Sequence, residues 1–361
     1  MPNKIFNYGE ACGEATRQAM RNDPKVLVYG LGVDDPKGMY GTTSGLVEEF
    51  GKDRCFDTPL SEDAMTGLGI GMAMNGFRPI HIHQRFDFLL LCMNQLINMA
   101  AKVKYLSNGK DSCPLIVRAI IGRSWGQGAQ HSQSFHSFLS SIPGLTVLAP
   151  VTPHDMFNSM IWATKYNNPT ILVENKMLYK NEGLVNLDES YFPNIRKLET
   201  GEDLTLVSVS HTSLEASRAI SVLNTKNITV DHFNLVNLTE FSIEKILFSV
   251  KKTGKILLID NGWTKCSIVK DILCDLYMKG FRGDGEIMGY ANSPCPTPRY
   301  LEDIYYPSPT SIAQKIQQML EIKLILLINL LRSLNCKIGH YVFYQDIDYI
   351  DFHKLLQLDP W

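Results

Sequence analysis

Short apolar runs rich in β-branched residues alternate along this chain with longer stretches of helical period. Residues 26–29 (VLVY), 115–121 (LIVRAII), 145–148 (LTVL) and 170–173 (TILV) have the length and composition of buried strands. Between them, residues 9–21, 64–74, 89–105 and 154–165 predict helices. Alternation of this kind predicts an α/β fold, with a mostly parallel sheet covered by helices on both faces. Ser61 stands where an N-cap would stand for the second helix. Glu62 and Asp63 are well placed against the dipole of its first turn.

Residues 176–202 lose the period and are polar, which reads as a linker. The α/β pattern then resumes. Residues 204–209 and 255–260 predict strands, and residues 212–223, 242–252 and 264–278 predict helices. A proline-rich stretch over 292–309 precedes a closing helix over 311–320. The expected organisation is two doubly wound domains, residues 1–180 and 203–320, joined by a linker over 181–202. Residues 321–361, rich in Ile, Leu, Tyr and Asp, form a tail with no turn punctuation.

Composition narrows the picture only a little. Of 361 residues 45% are hydrophobic and 20% charged, and the formal net charge is -2. A chain of that length suggests roughly two domains. Its charge gives no electrostatic case for nucleic acid or for an anionic membrane surface. Its 8 cysteines form no CxxC pair and no zinc-ligand spacing, so reduced thiols in a cytoplasmic protein are expected. The N-terminus has no apolar core of a signal peptide. The most apolar stretch, residues 322–334, is broken by Lys323, Asn329 and Arg332 and falls short of the ~20 residues of a spanning helix. No membrane span is expected.

Several motifs suggest chemistry and fail on inspection. Gly67, Gly69 and Gly71 lie inside a predicted helix, and Met72 stands where a dinucleotide fingerprint would need another residue pattern. Close helix packing explains them better. His81 and His83 alternate along a strand and share one face; a lone pair reads as polar core or surface rather than a metal site. Gly283-Asp284-Gly285 reads as a turn. There is no GxxxxGK[ST], HExxH or GxSxG.

Three segments carry more together than any does alone. They are Asp57-Thr58-Pro59-Leu60-Ser61-Glu62; then Arg78-Pro79-Ile80 with Phe86-Asp87-Phe88 and residues 95–102 (QLINMAAK); then residues 126–134 (GQGAQHSQS). Asn167-Asn168-Pro169 and residues 172–175 (LVEN) follow in the same order. This set resembles the β chain of the decarboxylating component of pyruvate and branched-chain 2-oxoacid dehydrogenases, whose relatives include transketolase. The resemblance is specific over residues 1–180, weaker to about residue 320, and stops there. It implies a pyrimidine-binding domain followed by a transketolase C-terminal domain.

By that resemblance the cofactor is thiamine diphosphate, whose pyrimidine removes the C2 proton as its imino tautomer. A carboxyl group hydrogen-bonded to N1′ favours that tautomer, and Glu62 is this group. His131, in a glycine-rich loop after a strand, is the implied catalytic partner for the substrate carboxylate or for proton transfer. Leu60, Gln84 and Phe88 line the same cofactor pocket, with Phe88 packed on the pyrimidine. The potassium ion that the family often holds by backbone carbonyls maps to Leu115, Ala163, Tyr166 and Asn168, with Tyr166 in place of the usual acid.

Other positions depart from the family pattern. Leu31 stands in place of an acid thought to carry protons between paired sites. Residues 236–242 lack the arginine and proline of the usual R-T-x-x-P-L-D, and Asp260-Asn261-Gly262 replaces E-G-G. Arg85 and Asp87 mark a divergent branch, as do residues 123–128 (RSWGQG). The chain lacks a G-D-G…N motif placed to hold Mg²⁺ and diphosphate, so the resemblance implies that an α subunit supplies that grip in an α₂β₂ assembly. The implied reaction is oxidative decarboxylation of a 2-oxoacid, with the acyl group passed to a lipoyl acyltransferase core. A carboligase or ketol transferase half-subunit, and a noncatalytic partner that stabilises an α chain, stay open as alternatives.

Overall fold

The computed structural model describes residues 3–124, 126–188 and 191–333, with side chains as far as Glu321. Strand β1 (Asn3–Asn7) runs directly into a helix over Tyr8–Asn22. Asn7 starts that helix with a reciprocal cap. Its side chain accepts from the Glu10 amide, and the Glu10 carboxylate accepts from the Asn7 amide.

Six strands then build one parallel sheet. They are β2 (Val26–Tyr29), β3 (Cys55–Phe56), β4 (Arg78–His83), β5 (Ile116–Ile121), β6 (Thr146–Leu148) and β7 (Thr170–Asn175). Their order is β3-β2-β4-β5-β7-β6. Both faces are covered, as parallel strands require. Strand β5 displays the alternation: Val117, Ala119 and Ile121 join one core, while Ile116 and Ile120 join the other. The second core carries the helices Tyr8–Asn22 and Pro153–Lys165.

Strand β8 (Glu182–Asn186) returns to pair antiparallel with β1. A second domain follows, with β9 (Ile195–Glu199), β10 (Leu204–Val209), β11 (Val230–Leu235), β12 (Lys255–Trp263) and β13 (Asp284–Tyr290). Its order is β13-β12-β10-β11-β9, parallel except for β9. The first core continues into this domain through Val207, Val209, Leu235 and Leu258. The amides of Leu238 and Ala149 also reach across, to the carbonyls of Val147 (2.8 Å) and Val236 (2.7 Å).

The expected two α/β domains are present. Details differ from the sequence reading, each for a physical reason. The segment expected as a linker contains β8 and β9. Both are edge strands, and β8 buries only Val185 fully, so no strong pattern marks it. Asp284 and Gly285, read as a turn, instead open the edge strand β13. The stretch expected as one helix over 89–105 is wound in pieces: 3-10 over Phe86–Cys92, π over Asn94–Met99, 3-10 over Ala100–Lys102 and α over Val103–Leu106. These changes of winding keep Leu89, Cys92, Leu96 and Ala100 on the inward side. Ser61 makes no cap; its hydroxyl donates to Asp63 Oδ1 at 3.2 Å instead. Of the three helix glycines only Gly69 is there for close packing, against the Tyr29 hydroxyl and Leu115. Gly67 and Gly71 face open space. The closing helix extends over Pro309–Ser333. The rest of the expected tail lies outside the described residues. Among the described residues no helix is long and apolar enough to cross a membrane.

Arg118 is the one charge that β5 turns into the second core, and it is fully buried. Glu174 of β7 receives it through Nε (2.5 Å) and Nη2 (3.0 Å). Tyr179 donates to the same carboxylate at 2.6 Å, and Thr42 Oγ1 accepts from Nη2 at 2.9 Å. Removing one member strands the other charge in a dry interior, which costs about 3–5 kcal/mol. Arg118→Ala is therefore expected to lower the denaturant midpoint sharply. The Arg118→Met, Glu174→Gln double variant is expected to recover much of the loss. A single variant as stable as the parent in urea unfolding would contradict this account.

Candidate active site

Parallel strands place their functional loops at their carboxyl ends, where α/β proteins bind ligands. Here four neighbours contribute. Leu31 follows β2, residues 57–62 follow β3, Gln84 follows β4, and the loop carrying His131 follows β5. Leu31, Thr58, Leu60, Glu62, Gln84 and Phe88 line one cleft, with Met65, His81, Ile82 and His83 in its walls. Four of the five residues expected to serve chemistry or cofactor, Leu60, Glu62, Gln84 and Phe88, thus lie together.

Backbone anchors hold these loops. Asp57 accepts from the amides of Gly32 (2.6 Å) and Thr58 (2.8 Å), which fixes the loop after β2 against the loop after β3. The Gln84 amide donates to the Leu31 carbonyl at 3.0 Å. Glu62 is the first residue of its helix and is half-buried. Leu60 is 73% exposed beside it, so the cleft is open on the side where that leucine stands.

His131 does not line the cleft itself, but its ring meets Phe88 edge to face, with centroids 5.6 Å apart. Asp87 sets this contact. The amide and side chain of Gln133 both donate to Asp87 Oδ1, at 3.1 and 2.9 Å, tying the histidine loop to the turn after β4. Burial raises the Asp87 carboxyl above its ordinary range, against the lowering effect of those two bonds. The second domain holds the same loop from the other side. The Ser124 amide donates to Glu302 at 2.6 Å, and the Arg123 guanidinium donates to His211 at 2.9 Å while packing over the Tyr306 ring.

His81 and His83 form a feature of the cleft that sequence reasoning set aside. Both are buried, with ring centroids 4.2 Å apart. His81 stacks on Tyr29 and shares a 3.3 Å contact with the Thr66 hydroxyl. His83 Nε2 has no hydrogen-bond partner. Burial lowers both rings, His83 to about 4, so they are neutral at pH 7. Their period of two along β4 was visible; that β4 ends at the cleft was not.

An apolar slot with a half-buried carboxylate at one wall and an unpaired buried imidazole nitrogen at another fits a flat heteroaromatic ring with a polar edge. The residues therefore fit the pyrimidine of thiamine diphosphate. The carbonyls expected to hold potassium fit less clearly. Asn168 Oδ1 is buried without a partner, which favours a cation. The Arg78 guanidinium, however, donates to the Tyr166 carbonyl at 2.9 Å and brings a positive charge to that position. The Leu115 carbonyl accepts from the Thr170 amide, and that of Ala163 from the Tyr166 amide. No step below uses potassium.

The fold and the cleft define a two-domain protein of the transketolase type. The transketolase pyrimidine-binding domain family matches residues 4–182, and the transketolase C-terminal domain family matches residues 194–312. A pyruvate dehydrogenase E1 component subunit beta from Rickettsia bellii is 33% identical over 319 residues, spanning 87% of this chain and 98% of that one. An acetoin:2,6-dichlorophenolindophenol oxidoreductase subunit beta from Cupriavidus necator is 34% identical, spanning 84% and 94%. A solved split-gene transketolase in its inactive beta4 tetramer shares the fold, with a TM-score of 0.73 at 15% identity over 88% of this chain and 98% of that one. The chain belongs to the thiamine-diphosphate-dependent β-subunit family that includes pyruvate dehydrogenase E1 and acetoin oxidoreductase β chains.

The depressed histidines carry a pH signature. The unfolded chain takes up protons near the ordinary histidine pKa of about 6.5, whereas folded His83 resists until about 4. Stability from this group is complete above about pH 6.5 and declines as pH falls from there towards 4. In acid unfolding followed by circular dichroism, His83→Phe is expected to shift the midpoint to lower pH. An unchanged or higher midpoint would remove His83 as a source of the acid sensitivity.

Proposed function

We propose that this chain is the β subunit of a 2-oxoacid dehydrogenase and contributes the pyrimidine half of an active site. What supports the reading is one observation: Leu60, Glu62, Gln84 and Phe88 line a single cleft at the carboxyl ends of β3 and β4, with His131 in ring contact with Phe88. An α subunit completes the site in an α₂β₂ assembly and holds the Mg²⁺ and diphosphate. The two domains follow the boundaries near residues 180 and 203.

Thiamine diphosphate, when bound, supplies the carbon nucleophile that attacks the 2-oxo group. This chain's residues prepare and guard that chemistry. The Glu62 carboxyl holds a proton at N1′ of the pyrimidine, which favours the tautomer able to act as a base. Phe88 packs on the ring and fixes its plane, and Leu60 and Gln84 close the slot around it. His131 orients the substrate carboxylate and moves a proton at the reacting oxygen. Leu60, largely exposed in the single chain, excludes water once the α subunit covers it. After loss of CO₂, the disulfide of a lipoyl carrier would take both the acyl group and the electron pair, leaving one sulfur acylated and the other a thiol.

Co-purification with the candidate α chain, followed by thiamine diphosphate titration, tests the reading. The pair is expected to bind tightly and in a Mg²⁺-dependent manner, and the β chain alone is not. Glu62→Gln in the pair is expected to lower turnover by about 10²–10⁴-fold, the usual range for removing a positioned acid or base. Full turnover in that variant would leave the chain with a stabilising role only.

A further inference from the structure

A second concavity, of about 770 Å³, is lined among others by Tyr40, Ser124, Lys176 and Lys180. Lys176 follows β7 and Arg85 follows β4 by one residue beyond Gln84, so both stand at the carboxyl edge of the same sheet. They converge on one ring. The Lys176 ammonium sits 3.7 Å from the Tyr40 centroid, and the Arg85 guanidinium carbon 5.9 Å from it. Arg85 Nη1 also donates to the Tyr40 hydroxyl.

Arg85 is fixed in place but has no counter-ion. Its Nε donates to Gln127 Oε1 at 3.0 Å, and its Nη1 donates to the Gln84 carbonyl at 2.8 Å. Among the described residues no carboxylate forms an ion pair with it, and its Nη2 makes no hydrogen bond. Glu10, on the wall of the concavity, is occupied in capping the first helix. Tyr40 stands at φ 50°, in the left-handed region that tyrosine rarely adopts. Strain of that kind persists only where surrounding contacts impose it. Burial first, and Arg85 second, pull the Lys176 ammonium down to about 8.

Arg85 also lies close to the expected reaction centre. A side-chain carbon on Gly122 would lie 3.6 Å from Arg85 Nε and 3.3 Å from Gln127 Oε1, and would collide with the His131 carbonyl. The guanidinium and the backbone carbonyl of His131 therefore both approach Gly122.

We propose that Arg85, Tyr40 and Lys176 form a subsite for a compact anion, a carboxylate or phosphate monoester on the part of the substrate remote from its 2-oxo group. A guanidinium with its Nη2 open and a nearby ammonium match such a group. The subsite deepens the functional reading above by naming the substrate class: an acid carrying a second anionic group.

The test uses the full chain, first alone and then paired with its α subunit. Calorimetry with inorganic phosphate and with malonate as probes measures the subsite without turnover. Binding by the parent chain is expected, with at least about tenfold loss in Arg85→Gln and in Lys176→Gln, a change of about 1.4 kcal/mol. The stronger of the two probes identifies phosphate or carboxylate as the natural group. In the pair, the ratio of kcat/KM for a 2-oxo diacid over a 2-oxo monoacid is expected to fall in both variants through KM. Lys176→Gln serves if Arg85→Gln fails to fold. No probe binding by the parent, or equal binding and equal ratios in parent and variants, overturns the subsite. Loss of thiamine diphosphate binding with probe binding intact would overturn the functional reading instead.

Discussion

Everything at the cleft depends on the alignment of four neighbouring parallel strands. Tyr29 stands opposite Phe56 and His81, and His83 stands opposite Ala119. Because β3, β2, β4 and β5 end at one edge, four chain segments distant in sequence deliver Leu31, Glu62, Gln84 and His131 to one region. A one-residue slip of β4 would send His81 and His83 to the other face and turn Ile80 and Ile82 out of their core. On the other side of β5, the buried Arg118 and Glu174 pair holds the registration of β5 on β7, with Arg118 opposite Leu172 and Ile120 opposite Glu174.

Most central strands were legible in the sequence because they are buried on both faces and read as continuous apolar runs; β11, equally buried but written VDHFNL, was not. Residues 26–29 and 204–209 were read with the ends that the structure gives them. Apart from β6, read at 145–148, the edge strands were not legible. β1 and β8 each bury about one residue fully, β3 is two residues long, and β13 alternates without a fully buried core until Tyr290. Hydrophobic period reports burial, and an edge strand has little of it. The same reasoning explains the failed cap at Ser61: residue type was right, but its backbone, at φ -161° and ψ 79°, turns the hydroxyl to Asp63 rather than to an amide of the helix.

At the site the balance was different. Leu60, Glu62, Gln84, Phe88 and His131 came from ordered motifs, and the fold brings the first four into one cleft and the fifth beside it. Periodicity alone found none of them. His81 and His83 were visible as a pair but had no context until β4 was placed. Asp87 and Gln133 stood in those motifs without a role and Glu302 went unnoticed, because each holds the histidine loop by acting on residues far away in the chain and in part from the other domain.

Three polar residues beside the cleft act together. Gln84, Arg85 and Asp87 are near neighbours in the chain, and each makes a contact that an apolar residue could not: with Leu31, with Tyr40 and Gln127, and with Gln133. Leu31 lies in the same cleft and accepts the Gln84 bond through its backbone, which holds the loop in place. The Arg85 guanidinium, one residue past Gln84, shifts the local field towards positive. In water-excluded surroundings that shift acts most strongly on an anion at the cleft mouth. The cleft expected to serve the cofactor is thus largely apolar, while the neighbouring side, where Arg85 and Lys176 stand, is positive.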